Sequence, residues 1–308
     1  MGVTPDLSVR LGPLTLRNPV MVASGCCGFG QELAEWMPLS ALGAIVAKGT
    51  TLRPRRGNPP PRVWETPAGM LNAIGLQNDG VQDLIEHKLP WLREQDVPII
   101  VNIAGETVGE FAELARVLDR APGVAALELN VSCPNVRAGG MQFGVCATGV
   151  AEVTSAAREA TRLPIITKLS PNVTDIVEMA RAAVDSGADA LSLINTLLGM
   201  AIDPETRRPR LANITGGLSG PAVRPVAVRM VWQVARAVRV PIIGLGGISR
   251  AEHALEFIIA GASAVCIGTG LFADPRCPIA VVDGLRDYME RHGIERLGDL
   301  RGALEAAV

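Results

Sequence analysis

Short apolar runs rich in β-branched residues recur along the chain, and a longer amphipathic stretch follows each one. The strand-like runs are 20–24, 44–48, 98–103, 126–131, 164–169, 190–195, 241–245 and 264–268. They are continuous rather than alternating, the pattern of strands buried on both faces. Three begin at Pro98, Pro164 and Pro241, and proline is tolerated at a strand's first residue. The helix-like segments are 81–94, 106–118, 148–161, 174–186, 222–238, 250–260 and 278–292. Strands alternating with helices predict a parallel βα array. A closed (β/α)8 barrel, a TIM barrel in one domain over 1–308, fits both the count and the length. A doubly wound open sheet needs a phosphate loop after its first strand. The run Gly25-Cys26-Cys27-Gly28-Phe29-Gly30 lacks that G-x-G-x-x-G spacing. Two connections are long, 50–79 and 197–220, and are expected as inserted loops at the C-terminal face. Long loops inside a compact domain tend to be functional.

Composition narrows the function classes. Apolar residues make up 48% of the chain and aromatics only 3%, so the core must be aliphatic. That much apolar surface excludes disorder. The 33 glycines show no three-residue period, which excludes collagen. The net charge of −2, with one tyrosine and no long basic run, argues against a nucleic-acid partner. Residues 1–12 show no signal peptide, and the longest apolar run, around 254–268, is broken by Glu256. A cytoplasmic protein without a membrane segment is expected. The six cysteines form no C-x-x-C pair, so a zinc or iron–sulfur site in this chain is poorly supported. His87, His253 and His292 lie scattered in helix-like stretches and read as surface residues.

In such a barrel the chemistry sits where the strands end. Reading that edge gives Ser24-Gly25, Lys48-Gly49, Asn102, Asn130, Lys168, Asn195-Thr196, Gly246-Gly247 and Gly268-Thr269. Lys48 and Lys168 interrupt apolar strands, and a buried ammonium needs a partner. They read as salt-bridged rim lysines, as a Schiff-base lysine, or as cations facing an anionic cofactor or substrate. The glycine pairs after strands seven and eight read as turns or as a phosphate site. A phosphorylated sugar or a cofactor such as FMN would suit the latter. Cys133 lies just past strand four in a stretch with Gly139, Gly140 and Gly144, which reads as a lid. It is either an inert thiol or a base or nucleophile. Cys26, Cys27, Cys266 and Cys277 read as packing residues, and Cys146 as a lid residue without a role.

At these residues the chain resembles the dihydroorotate dehydrogenases, and among them the NAD-linked group, class 1B. The stretches that carry the likeness begin with Asn18-Pro-Val-Met-Val-Ala-Ser-Gly25, Lys48-Gly-Thr-Thr51 and Gly57-Asn-Pro-Pro-Pro-Arg62. The run from Glu65 to Asn78 follows, and its part Met70–Asn78, together with the cysteine in Asn130-Val-Ser-Cys-Pro-Asn135, is highly specific. Lys168-Leu-Ser-Pro171, Ile194-Asn-Thr196, Gly244-Leu-Gly-Gly-Ile248 and Gly268-Thr269 complete them. The quinone-linked relatives carry serine as base, so Cys133 argues against that group.

The resemblance implies an FMN-containing barrel that oxidises dihydroorotate to orotate in pyrimidine synthesis. By position, Cys133 would take the C5 proton while a hydride leaves C6 for the flavin. Asn72, Asn130, Asn135, Asn195 and Thr196 would hydrogen-bond the pyrimidine ring. The Asn72–Leu76 loop, which also includes Ala73, Ile74 and Gly75, would hold the substrate carboxylate with Lys48. FMN would contact Ser24, Lys48, Gly49, Asn102, Asn130 and Lys168. It would also contact Ile194, Gly220, Gly246, Gly247, Gly268 and Thr269. A lysine near the flavin pyrimidine edge stabilises the charge of reduced flavin.

Cys26-Cys27 depart from the Thr-Phe-like pair of relatives, and residues 140–146 depart from the usual lid. With neither a cluster motif nor a dinucleotide loop, the chain is expected to pass electrons to a partner subunit carrying FAD and [2Fe-2S]. The expected complex is a heterotetramer built on a homodimer of this chain. The alternatives are a fumarate-linked relative, a dihydropyrimidine dehydrogenase-like barrel, a Schiff-base aldolase and a non-catalytic flavin-binding subunit.

Overall fold

A computed structural model describes residues 5–131 and 143–305. Eight parallel strands close a barrel: Val20–Val22, Ala44–Thr50, Ile99–Ile103, Val124–Asn130, Ile165–Lys168, Ala190–Leu193, Ile242–Leu245 and Ala264–Ile267. Each strand pairs with its sequence neighbours, and the eighth closes on the first. All eight coincide with predicted runs. Three predicted starts at proline fall one residue early, because proline has no N–H for the ladder. The carbonyls of Pro98, Pro164 and Pro241 still accept from Ile45, Leu127 and Leu191 at 2.9–3.0 Å.

The predicted helices form the outer ring, and a large aliphatic cluster fills the space between them and the strands. Thr107 and Asp175 cap two of these helices; Asp175 accepts from the N–H groups of Val177 and Glu178. The helix over 80–93 contains a π-helical stretch, Leu84–Lys88, just before Pro90. Proline removes a helical donor there, and the wider turn absorbs the loss.

The interior is stacked in layers of four, each supplied by alternate strands. Ala44, Ala126, Ala190 and Ala264 form the lowest layer. They are small enough to admit Leu11 and Leu16 from the hairpin Val9–Leu11/Leu14–Leu16, which closes that end. Met21, Ile100, Ile166 and Ile243 come next. The third layer holds Val46, Glu128, Ser192 and Cys266, and the fourth Ala23, Asn102, Lys168 and Leu245. Within these four layers polarity appears only in the upper half, and only on the third to sixth strands; Lys48 follows above them on the second.

The two long connections are not plain loops. They fold into an antiparallel sheet in the order Leu197–Met200, Thr215–Ser219, Gly69–Asn72, Val63–Thr66. This sheet stands over the C-terminal end of the barrel. Asn78 ties its base down, accepting from the N–H groups of Thr51 and Gly80. No helix among the described residues is long and apolar enough to cross a membrane.

Candidate active site

A cavity opens between the barrel's C-terminal end and the antiparallel sheet. Its lining brings together residues separated by most of the chain. Ser24, Lys48, Gly49, Asn102, Asn130 and Lys168 come from the ends of the first five strands. Ile194, Asn195 and Thr196 follow the sixth strand, and Gly246, Gly247, Gly268 and Thr269 follow the last two. Asn72, Ile74, Gly75, Leu76 and Gly220 contribute from the sheet side.

Ala73 does not line the cavity. It is fully buried with Leu71 and Leu211, its N–H bonds Arg62 O, and its carbonyl accepts from Asn58. Strand alternation explains this, since neighbours of an inward residue face the other way. The expected base Cys133 and the expected ring contact Asn135 lie outside the described residues, as does most of the expected lid.

The sequence reading missed Glu128, which organises the floor. It is 2% exposed and sits between Asn102 and Lys168. Asn102 Nδ2 donates to Glu128 Oε2 at 2.6 Å, and Ser192 Oγ donates to Oε1 at 2.8 Å. Lys168 Nζ lies 3.6 Å from Oε2. Lys168 is thus salt-bridged, as one of its three readings had it, and it also lines the cavity. The signal available was the two-residue step Ala126, Glu128, Asn130, which places all three on the inner face.

The amides continue from there. Asn130 Nδ2 approaches Asn102 Oδ1 at 3.5 Å, and Asn195 Nδ2 donates to Asn130 Oδ1 at 3.3 Å. Asn195 Oδ1 accepts from the N–H of Thr196 at 2.8 Å. Asn172, also missed, braces this corner by donating to Thr196 O and accepting from Leu198 N. Thr196 in turn presses on the sheet: a Cβ on Gly217 would lie 2.0 Å from its Oγ1.

At the other end the wall is bare backbone. Gly247 has φ of +71°, and a Cβ there would lie 2.7 Å from Gly220 O. The N–H groups of Gly247, Ile248 and Thr269 make no hydrogen bond within the described residues. Unpaired donors against a cavity suit an anionic oxygen cluster such as a phosphate. Cys26, read as packing, also borders the cavity; burial pushes its thiol up to about 11, with the Lys168 charge opposing. His253, read as a surface residue, is half-buried and faces Ser249.

The cavity thus offers bare donors at one end, two lysines, and amides able both to donate and to accept. These residues fit a flavin mononucleotide, whose phosphate, ring edge and imide group ask for those three environments. A parallel barrel with such a site belongs to the cofactor-dependent oxidoreductases of this architecture. The chain is a member of the dihydroorotate dehydrogenase family, whose model matches residues 6–289. It is 58% identical to a protein of Geotalea uraniireducens over 300 residues, covering 97% of this chain and 98% of that one. A Geobacter sulfurreducens relative is 57% identical over 301 residues, covering 98% and 99%. One from Bacteroides fragilis is 54% identical over 300 residues, covering 97% and 99%. All three are named dihydroorotate dehydrogenase B (NAD(+)), catalytic subunit.

Proposed function

We propose that this chain is the catalytic subunit of an NAD-linked dihydroorotate dehydrogenase, a single cytoplasmic barrel domain holding FMN. It oxidises (S)-dihydroorotate to orotate in pyrimidine biosynthesis. The observation that carries this reading is the single cavity gathering both lysines, the amide chain and the bare glycine wall. The near full-length likeness to relatives of that name supports it.

In this reading the phosphate rests on the backbone at Gly246, Gly247, Gly268 and Thr269, with Gly220 beside it. Ser24, Gly49, Asn102 and Ile194 bound the ring, and Lys48 and Lys168 face its charge. Asn72, Asn130, Asn135, Asn195 and Thr196 orient the substrate ring through donor and acceptor pairs. Lys48 and the 74–76 backbone take the substrate carboxylate. Cys133, as thiolate, removes the C5 proton. The chemistry a bound FMN supplies there is acceptance of the hydride from C6. Proton and hydride together account for the two hydrogens lost.

Electrons then leave through a second subunit with FAD and [2Fe-2S], in a heterotetramer built on a dimer of this chain. The absence of any C-x-x-C pair or G-x-G-x-x-G loop in the sequence supports a separate subunit. The test is an absorption spectrum of the purified protein. Flavin bands that bleach when dihydroorotate is added without air are expected. A colourless protein, or a flavin that dihydroorotate leaves oxidised, would overturn the reading.

A further inference from the structure

Among the described residues Glu128 is the only buried acid, and no step of the proposed reaction uses it. Three donors converge on it: the Asn102 amide, the Ser192 hydroxyl and the Lys168 ammonium. A carboxylate accepts and never donates. It therefore fixes the sense of the Asn102 amide, nitrogen toward Glu128 and oxygen toward Asn130. Asn130 then turns its own oxygen to Asn195, whose oxygen receives the Thr196 N–H. One acceptor in the third layer thus sets the polarity of a chain of amides along the cavity wall. Its charge also lies 3.6 Å from Lys168 Nζ, so that seen from the cavity the ammonium's field is partly cancelled.

We propose that Glu128 is a positioning residue of the flavin site. It sets how much positive charge Lys168 presents to the bound flavin, and it holds the asparagines in the orientation that receives the substrate ring. This inference rests on the reading of the cavity as an FMN site with Lys168 facing the ring. Reduced flavin carries more negative charge than oxidised flavin. A fully exposed ammonium field would favour the reduced form, and the paired acid restrains that preference.

The substitution Glu128→Gln separates charge from hydrogen bonding. A glutamine can keep its oxygen on Asn102 and Lys168 and give its NH2 to Ser192. The Ser192 hydroxyl can rotate to accept. The amide chain keeps its sense and only the charge is lost.

The experiment measures the midpoint potential of bound flavin in the holoenzyme and the affinity of the apoprotein for oxidised FMN by fluorescence titration. Three variants are compared with the parent: Glu128→Gln, Lys168→Met and the double variant. Glu128→Gln is expected to retain FMN, to leave KM for dihydroorotate unchanged, and to raise the potential. A tenfold gain in preference for reduced flavin reads as about 30 mV in a two-electron couple. Lys168→Met is expected to lower the potential, and the double variant to lie above Lys168→Met by about the shift that Glu128→Gln shows, because the two fields add at the flavin. An unchanged potential in Glu128→Gln beside a shifted one in Lys168→Met overturns the inference alone. Unchanged potentials in both mean that Lys168 does not face the flavin, and the site reading fails first. If Glu128→Gln does not fold, the double variant, which removes both charges, decides. A potential above that of Lys168→Met supports the restraint by the acid, and one equal to it overturns the inference.

Discussion

Cysteine takes several different fates in this chain, and each follows from its surroundings. Cys27 is buried and its thiol donates to Val46 O at 3.2 Å, while Cys266 fills a place in the third interior layer. Burial pushes both thiols far up, so neither ionises at neutral pH. Cys26 borders the cavity, yet burial holds it at about 11, which removes it as a candidate base. In the proposed reaction Cys133 carries the proton transfer. Cys133→Ser should slow flavin reduction by dihydroorotate about 10²–10⁴-fold, the usual worth of a general base, while flavin stays bound. Anaerobic stopped-flow absorbance reads the rate. It should rise with pH through the Cys133 ionisation, and Cys26→Ser should leave that profile in place. A Cys133→Ser enzyme that reduces its flavin at the parent rate would remove Cys133 from the reaction. Cys26 has a separate consequence for stability. Its native pKa is raised, so above the ordinary thiol value the unfolded chain releases the proton first. Stability is whole below that value and falls as pH climbs toward about 11. Thermal melts across that range should show a declining Tm, and Cys26→Ser should lessen the decline, the raised thiols of Cys27, Cys266 and Cys277 keeping the rest of it. The motif around Cys133 was legible in the sequence. Glu128 was not, because an acid inside a run of Ala and Leu hides unless the strand is read in steps of two.

At the scale of elements, every barrel strand was legible, because strands covered on both faces are written as uninterrupted aliphatic runs. The antiparallel sheet was not. Three of its four strands read Gly69-Met-Leu-Asn72, Leu197-Leu-Gly-Met200 and Thr215-Gly-Gly-Leu-Ser219, and glycine in a strand weakens the signal. Its pairing is also remote, since Leu71 lies opposite Leu218. Those glycines have a use the sequence could not reveal. Gly217 stands where Thr196 approaches, and any Cβ there would collide with that side chain. Gly217→Ala should therefore displace Thr196, which is expected to hold the substrate ring. Loss of one hydrogen bond of ~1.4 kcal/mol would raise KM for dihydroorotate about tenfold. Flavin content should be untouched, because the bare wall at Gly247 lies at the other end. Steady-state kinetics beside an absorption ratio of flavin to protein separates the two. An unchanged KM would mean that the sheet does not position Thr196 for substrate.

Across the whole molecule, the interior changes character from one end to the other. Two wholly apolar layers give way to two that carry Glu128, Ser192, Asn102 and Lys168 on one side and Val46, Cys266, Ala23 and Leu245 on the other. The apolar half of each layer supplies a dry wall, and the polar half supplies charge and amides. This division concentrates the chemistry in one cavity and leaves the electrons no second cofactor site legible in the sequence. The edge strand Leu197–Met200 adds an outward face on which Leu198 and Met200, two residues apart, are 58% and 48% exposed. In the proposed reading the electrons leave through a partner subunit. The chain purified alone should therefore be reduced by dihydroorotate and then stall. With NAD present, no NADH should accumulate until the electron-transfer subunit is added. NADH absorbance followed before and after that addition reads the outcome directly. Rapid NAD reduction by this chain alone would end the partner hypothesis. Turnover with fumarate in place of NAD would assign the enzyme to the fumarate-linked group, with the same barrel and base feeding a different acceptor.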